Sequence, residues 1–150
     1  MAKTHEYPVR VTWKGGRDGS GDVTDQRGNI TVPLTTPPEF GGTGAGTNPE
    51  QLLAMSVAAC YTITLGIVLT NRKVPFADIQ ADVVGEVLEN GPSFTYTKLT
   101  IRPRVVLTGA DDAQAKVAED MAHKADAYCI ITNAVREKVQ VVVEPVIVRT

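Results

Sequence analysis

The feature that most constrains the fold is a long apolar segment, residues 52–69, that directly follows a set of helix-start signals. Asn48 suits the N-cap position and Pro49 the first helical position. Glu50 places a carboxylate in the first turn, where the helix dipole favours negative charge. We therefore predict one long helix over residues 49–71, and the rest of the chain must be arranged around it.

The apolar segment is too polar in places for a typical membrane span, because it includes Ser56, Thr62, Thr64 and Gly66. A buried central helix is the better interpretation. The N-terminal residues show no apolar stretch of the kind found in signal peptides, so we expect a cytoplasmic protein. In that compartment a permanent disulfide is disfavoured, whereas a transient catalytic one is allowed.

Alternation from Tyr7 to Trp13 predicts a first strand with one buried face. Pro103 places its strand at an edge or a bulge. The order of strands, helix, strands, helices and strand predicts an α+β fold with antiparallel sheets in a single domain, residues 1–150. The further predicted elements are strands near 20–24, 30–34, 79–87 and 99–107, helices at 111–127 and 129–137, and a last strand at 138–148.

Charge and composition argue against several functions. The net charge is −2 and no basic cluster exceeds two adjacent residues, so a nucleic-acid partner is not expected. His5 and His123 have no ligand spacing with the cysteines, which argues against a metal site. The glycine-rich stretch at 41–47 lacks the lysine of a phosphate-binding loop, so no bound nucleotide is expected. No other bound cofactor is expected either.

Two cysteines are the residues with the most evident chemistry. Cys60 lies in the predicted long helix, and Cys129 stands at the start of a short one, where a thiol pKa can be lowered. Such a pair fits a reversible redox couple. It fits two inert core residues equally well, since free cysteine is among the most buried residue types.

Arg17 and Glu50 also have two interpretations each. Arg17, in a glycine turn, is either solvent-exposed or directed at a thiolate, which its permanent charge would stabilise. Glu50 either serves the helix dipole or orients an arginine. Glu50 and Cys60 lie about 15 Å apart along a straight helix and about 80° around it. A site containing both therefore needs either a broken helix or two chains.

Several segments together resemble the OsmC/Ohr family, the osmotically inducible and organic hydroperoxide resistance proteins. The family's pattern after the second cysteine, Cys-x-x-x-Asn-Ala, is also present. At Ile130 the chain departs from the family, which usually has proline there. The matching segments are Gly-Gly-Arg-Asp-Gly at 15–19, Glu-Phe-Gly-Gly at 39–42, Gly-Ala-Gly-Thr-Asn-Pro-Glu-Gln-Leu-Leu-Ala at 44–54 and Ala-Ala-Cys at 58–60.

The resemblance implies an intertwined homodimer, with antiparallel sheets wrapped around long central helices and two sites at the interface. It implies a thiol peroxidase in which Cys60 attacks an organic hydroperoxide and Cys129 resolves the product as a disulfide. Arg17 would stabilise the thiolate, and Glu50 would hold the guanidinium. A small external dithiol, lipoyl in the Ohr branch, would be the reductant. An apolar ligand-binding protein and a thiol redox sensor remain the alternatives.

Overall fold

The computed structural model describes all residues from Met1 to Thr150. The chain divides into two compact units, Met1–Leu52 and Leu53–Thr150. Its α+β class agrees with the prediction. The elements are β1 (Val9–Lys14), β2 (Ser20–Asp25), β3 (Ile30–Thr35), a 3-10 turn (Pro38–Phe40), α1 (Pro49–Asn71), β4 (Phe76–Asn90), β5 (Ser93–Leu107), α2 (Asp112–Tyr128), α3 (Ile130–Val135), β6 (Gln140–Val143) and β7 (Val146–Arg149).

The N-terminal unit contains a three-stranded antiparallel sheet in the order β1-β2-β3. Its hairpin register pairs Val11 with Val23 and Val23 with Val32. The predicted buried face of β1 is wrong for the single chain, because every residue of the strand is exposed. Val11 and Trp13 retain 56% and 41% of their accessible surface. The alternation is present, but nothing in the chain covers its apolar face.

Helix α1 begins where the local signals predict. The side-chain oxygen of Asn48 accepts the backbone N–H of Gln51 at 2.8 Å, as an N-cap residue does. Near the other end, the N–H of Val74 donates to the carbonyl of Leu69 at 3.0 Å, and the chain then leaves the helix toward Pro75. The helix runs without a break over its 23 residues.

Only one side of α1 is buried, so the prediction of a buried central helix is right for that side alone. The buried stripe consists of Ala54, Val57, Tyr61, Leu65 and Leu69. On the other side Met55, Ile63 and Ile67 are each more than half exposed. By length and composition alone α1 could cross a membrane, and 28% of its most apolar window is buried. This is weak evidence, because core helices of soluble proteins meet the same criteria.

The C-terminal unit contains a mixed sheet centred on β5. Strand β4 pairs with β5 antiparallel, whereas β6 and β7 both pair with β5 parallel. The expected antiparallel pairing is present between β4 and β5, and β6 and β7 add parallel pairing that was not predicted. The single last strand predicted over 138–148 is two strands, separated at Glu144 and Pro145. Both can run parallel to β5 because α2 and α3 carry the chain back before β6 begins.

Pro103 lies in the middle of the central strand, so its predicted place at an edge or bulge is wrong. On the side of β5 that faces β6 and β7, the carbonyl of Ile101 accepts the N–H of Glu144 at 2.8 Å. Residues two apart in a strand point their backbone groups to the same side. Pro103 therefore faces the gap between β6 and β7, where its missing N–H breaks no ladder bond.

The core of the C-terminal unit lies between α1, β5 and α2. It contains the buried stripe of α1, Leu99, Ile101, Val105 and Leu107 of β5, and Ala118, Met121, Ala122 and Ala125 of α2. Three of these α2 residues are alanines, whose small side chains let the helix lie close to the rest of the core. A reciprocal capping box between Asp111 and Gln114 starts it. This packing fixes the level of α1 at which Cys60 stands.

Candidate thiol site

Cys60 lies on α1 directly before the fully buried Tyr61. The Tyr61 hydroxyl donates to the carbonyl of Ala122 on α2 at 2.5 Å. Burial, and then the negative charge of Asp126, raise the pKa of Tyr61, so its hydroxyl stays a donor. The tyrosine thus fixes the register of α1 against α2, while Cys60 beside it remains half-buried.

Cys129 is fully buried in the turn between α2 and α3. It is the N-cap of α3, with extended backbone angles of −75° and 120°. Its sulfur accepts the backbone N–H of Thr132 at 3.4 Å. Neither cysteine forms a disulfide, so both are present as free thiols.

The two cysteine side chains are close enough for each to change the pKa of the other, although they are 69 positions apart in the chain. Burial by itself would raise the pKa of Cys60. The hydrogen bond from Cys129 outweighs it, together with bonds from the backbone N–H groups of Ile131 and Ile130 and from the Thr64 side chain. The pKa of Cys60 is therefore lower than that of an ordinary thiol.

The pKa of Cys129 is shifted in the opposite direction. Burial, and then the hydrogen bond to Cys60, raise its pKa above the ordinary value, and donors from Thr132 and Ile131 only partly offset this. Of the two interpretations open for Cys129, a pKa lowered by the helix start is therefore not the one found. The two pKa values are thus shifted apart, and Cys60 is the thiol of the pair that ionises more easily.

Side chains of α3 hold the turn that carries Cys129. The Thr132 hydroxyl donates to the carbonyls of Asp126 and Cys129, and the Asn133 amide donates to the carbonyl of Ala127 at 2.9 Å. Arg136 bonds both the carbonyl and the carboxylate of Asp126. These contacts occupy carbonyls that the end of α2 would otherwise leave without a helical partner.

Sequence reasoning did not single out Thr64, Ile131 or Thr132 as part of the site. Thr64 could have been found, because it stands one helical turn after Cys60 and residues four apart share a helix face. Ile131 contributes through its backbone N–H, and Thr132 through both its side chain and its backbone N–H. The pattern of side chains in a sequence does not indicate where a backbone N–H will point.

Arg17 belongs to the N-terminal unit, in the turn between β1 and β2, and is exposed. Its side chain lies against Gly41, where an added Cβ would come within 2.8 Å of the arginine Cδ. Gly41 also has a φ of +87°, a conformation that favours glycine. The glycine therefore makes room for the arginine stem beside the 3-10 turn.

Glu50 also belongs to the N-terminal unit and lines a cavity there of about 390 Å³. One of its carboxylate oxygens is buried. The rest of the wall is apolar or weakly polar and comes from Val11, Trp13, Leu34, Thr35, Thr36, Pro37, Phe40 and Pro49. Arg17 and Glu50 thus both border the segment around Phe40 and Gly41. No group of three or more His, Cys, Asp or Glu side chains is placed to hold a metal ion.

Comparison with known proteins identifies the family. The profile described as OsmC-like protein matches residues 42–144, more than half of the chain. An uncharacterized Bacillus subtilis protein, YmaD, is 31% identical, with 93% of each chain covered. The organic hydroperoxide resistance protein of Xanthomonas axonopodis pv. citri is 30% identical, covering 90% of this chain and 91% of that protein.

A solved structure agrees with the sequence relatives. The Legionella pneumophila organic hydroperoxide resistance protein OsmC superposes with a TM-score of 0.69 at 27% identity, covering 95% of this chain and 98% of that one. Sequence profile, relatives and fold all point the same way. The chain belongs to the OsmC/Ohr family.

Proposed function

We propose that this protein is a thiol-dependent peroxidase that reduces organic hydroperoxides to alcohols. The observation that carries the proposal is the Cys60–Cys129 pair, in which one thiol has a lowered pKa and its neighbour a raised one. A thiolate is the nucleophilic form of cysteine. A second thiol within hydrogen-bonding reach is positioned to complete a disulfide. Relatives named organic hydroperoxide resistance protein support the same substrate class.

The reaction has three balanced steps. The Cys60 thiolate attacks the terminal oxygen of the hydroperoxide, the O–O bond breaks, and the leaving alkoxide takes a proton to become the alcohol. Cys60 is thereby oxidised to a sulfenic acid. The Cys129 sulfur then attacks the Cys60 sulfur, which forms the disulfide and releases water. An external dithiol, for which we propose a lipoyl group, reduces the disulfide by thiol exchange and returns both thiols.

In this mechanism Arg17 stabilises the thiolate and polarises the peroxide, and Glu50 orients the guanidinium. Since α1 is continuous, Glu50 and Cys60 of one chain are separated by about 15 Å along the helix. They cannot act at one sulfur. Each site is therefore formed by Cys60 and Cys129 of one subunit with the partner subunit's Arg17 and Glu50, which requires a homodimer.

Exposed apolar surface supports an obligate partner. Met55, Ile63 and Ile67 form one exposed stripe on α1, and Val9 and Val11 lie on the exposed β1. Apolar surface of this extent on a soluble chain generally marks an interface. A second copy of the chain would cover it. We place the dimer in the cytoplasm, where reducing dithiols keep the cysteines available.

The cavity of the N-terminal unit supports an alkyl or aryl hydroperoxide rather than hydrogen peroxide. Its wall includes Phe40 and Trp13, which provide apolar contact that a small polar peroxide does not use. Phe40 lines this cavity, and Met55 is exposed on α1. Val57 is fully buried in the core, so it does not line a substrate site in the single chain.

Turnover of cumene hydroperoxide with a dithiol tests the proposal. Cys60→Ser should abolish turnover, and Cys129→Ser should stop the cycle after one oxidation. If the protein only binds apolar ligands, wild type will consume no peroxide. If it is a redox sensor, wild type will be oxidised but the dithiol will not restore it on the time scale of turnover. Unchanged turnover in Cys60→Ser contradicts the proposed role of that thiol.

A further inference from the structure

Trp13 lies where the cavity of the N-terminal unit meets the turn that carries Arg17. It is the only tryptophan of the chain, the last residue but one of β1, and it lines the cavity. In the sheet it pairs with Gly21, and Gly21 pairs with Leu34, which lines the cavity too. Trp13 and Leu34 therefore stand in one row across the three strands, on the face of the sheet that borders the cavity.

The indole N–H of Trp13 is bound to the start of that turn. It donates to the carbonyl of Gly15 at 3.0 Å. Gly15 has a φ of +98°, a conformation that favours glycine. Farther along, the N–H of Gly19 donates to the carbonyl of Gly16 at 3.0 Å and closes the turn. Arg17 stands between these two bonds, so Trp13 fixes one end of the segment that presents the guanidinium.

The wall that Trp13 gives to the cavity is apolar. Tryptophan has a single polar group, the indole N–H, and here the turn occupies it. What Trp13 presents to the cavity is therefore apolar, like Phe40 in the same wall. Phe40 directly precedes Gly41, and the stem of Arg17 lies against Gly41. An apolar wall and a permanent cation thus border one segment, which suits a ligand with an apolar group and a polar head.

We propose that Trp13 determines the specificity of the peroxide site: its ring contacts the organic group of the hydroperoxide, and its N–H positions the turn of Arg17. This inference rests on the proposed function. Aromatic rings pack on one another better than on small alkyl groups, so aryl hydroperoxides are the preferred substrate class. Loss of the ring and loss of the N–H have different consequences, because the ring acts on the organic group and the N–H acts on the cation.

Two replacements of Trp13 separate the ring from the N–H. Benzothienylalanine keeps the two-ring shape and has sulfur in place of the N–H, and with one tryptophan in the chain, replacing all tryptophan changes only this position. It should lower kcat/KM several-fold, up to about tenfold, and equally for cumene and tert-butyl hydroperoxide. Trp13→Leu should lower the value for cumene hydroperoxide by about tenfold more, because the aromatic contact is lost as well. Circular dichroism establishes that both proteins are folded. A Trp13→Leu protein with the wild-type preference for cumene hydroperoxide overturns the specificity role.

The positioning role of the N–H is tested through Arg17. If the N–H acts by holding the turn of Arg17, its loss should matter little once that side chain is absent. The benzothienylalanine replacement is therefore made in the wild-type and Arg17→Ala proteins, and alcohol release is followed in a single turnover. We expect a several-fold loss of rate in the first and almost none in the second. Equal losses in both overturn the positioning role, since they would reflect a general disturbance of the sheet.

A binding measurement on the wild-type protein needs neither substitution nor turnover. The probe is cumyl alcohol, the unreactive product of cumene hydroperoxide. Its titration should change the fluorescence of Trp13 saturably and shift the NMR resonances of the indole N–H and of the Gly16 amide, which shares a peptide group with the Gly15 carbonyl. A probe that leaves Trp13 unaffected overturns the proposal even if no Trp13 variant folds. If the probe binds at Trp13 but the wild type consumes no peroxide, the proposed peroxidase fails while the contact with the organic group stands.

Discussion

Cys60 and Cys129 lie next to each other, yet each moves the pKa of the other in the opposite direction. Cys129 favours a charge on Cys60, and its own proton is harder to remove. Burial raises the pKa of both thiols. Only Cys60 has enough further donors, from Ile131, Thr64 and Ile130, to reverse it. This asymmetry supports the proposal that Cys60 attacks the peroxide and Cys129 resolves the product.

We predict that Cys129→Ala and Cys129→Ser have different effects on Cys60. Serine keeps an O–H that can donate to the thiolate, whereas alanine removes the donor. Since a hydrogen bond to the charged form lowers a pKa, its loss raises that of Cys60. Thiolate absorbance followed against pH should therefore show Cys60 ionising at higher pH in Cys129→Ala than in Cys129→Ser. Identical curves would mean that the Cys129 donor contributes nothing.

The limits of sequence reasoning at this scale are clear in Cys129. Its position at a helix start was correctly predicted, but the sequence left the direction of its pKa open. The helix-start argument considers only the local backbone. The actual direction depends on burial and on Cys60, which stands 69 positions earlier in the chain. No local pattern contains that contact.

At the scale of elements, α1 is the part of the fold that sequence predicts best. Asn48 and Pro49 act within one turn of chain, so their effect on the helix start needs no tertiary information. Pro103 is the opposite case. Its place in the central strand depends on where β6 stops and β7 begins, some 40 residues later. Only the complete sheet reveals that gap.

Tyr61 gives a prediction for the packing of α1 on α2. Tyr61→Phe keeps the buried ring and deletes the hydroxyl that donates to the carbonyl of Ala122. We expect the free energy of unfolding to fall by about 1 kcal/mol, the usual net value of one such bond. Tyr128→Phe is the control, because that residue is 57% exposed. Urea unfolding at matched protein concentration compares them, and equal stabilities would contradict the role assigned to Tyr61.

At the scale of the whole molecule, the exposed faces of β1 and α1 explain why the pattern of β1 was misjudged. The alternation at Val9, Val11 and Trp13 correctly indicates a surface to be buried, but the single chain does not bury it. Alternation of apolar residues indicates that one face of a strand is buried in the folded protein or in its assembly. The periodicity does not indicate whether the surface that covers these residues belongs to the same chain or to another. The α+β class itself was predictable, because it depends only on the order of elements.

If each site is formed by two subunits as proposed, inactive variants should restore each other. Cys60→Ser lacks the nucleophile, and Arg17→Ala lacks the cation that we assign to the neighbouring subunit's thiolate. A mixed dimer would contain one site with an intact Cys60 from one chain and an intact Arg17 from the other. Random pairing of equal amounts should recover about a quarter of wild-type turnover. The two variants are refolded together and assayed against each one refolded alone.

A mixture no more active than Arg17→Ala alone would show that Arg17 and Cys60 of the same chain act together. Light scattering on the mixture provides the control, because it reports whether dimers have formed again. A wild-type chain that is fully active as a monomer would also contradict the proposal that two subunits form each site.

The central claim, that Cys60 is oxidised by an organic hydroperoxide and resolved by Cys129, is tested most directly by a single-turnover experiment. Reduced protein is mixed with one equivalent of cumene hydroperoxide, and intact mass and released alcohol are measured together. We predict that wild type loses two hydrogens as the Cys60–Cys129 disulfide forms, with one alcohol per site. Cys129→Ser should instead gain one oxygen, and Cys60→Ser should change in neither way. Alcohol formed by Cys60→Ser at the wild-type rate would contradict the account.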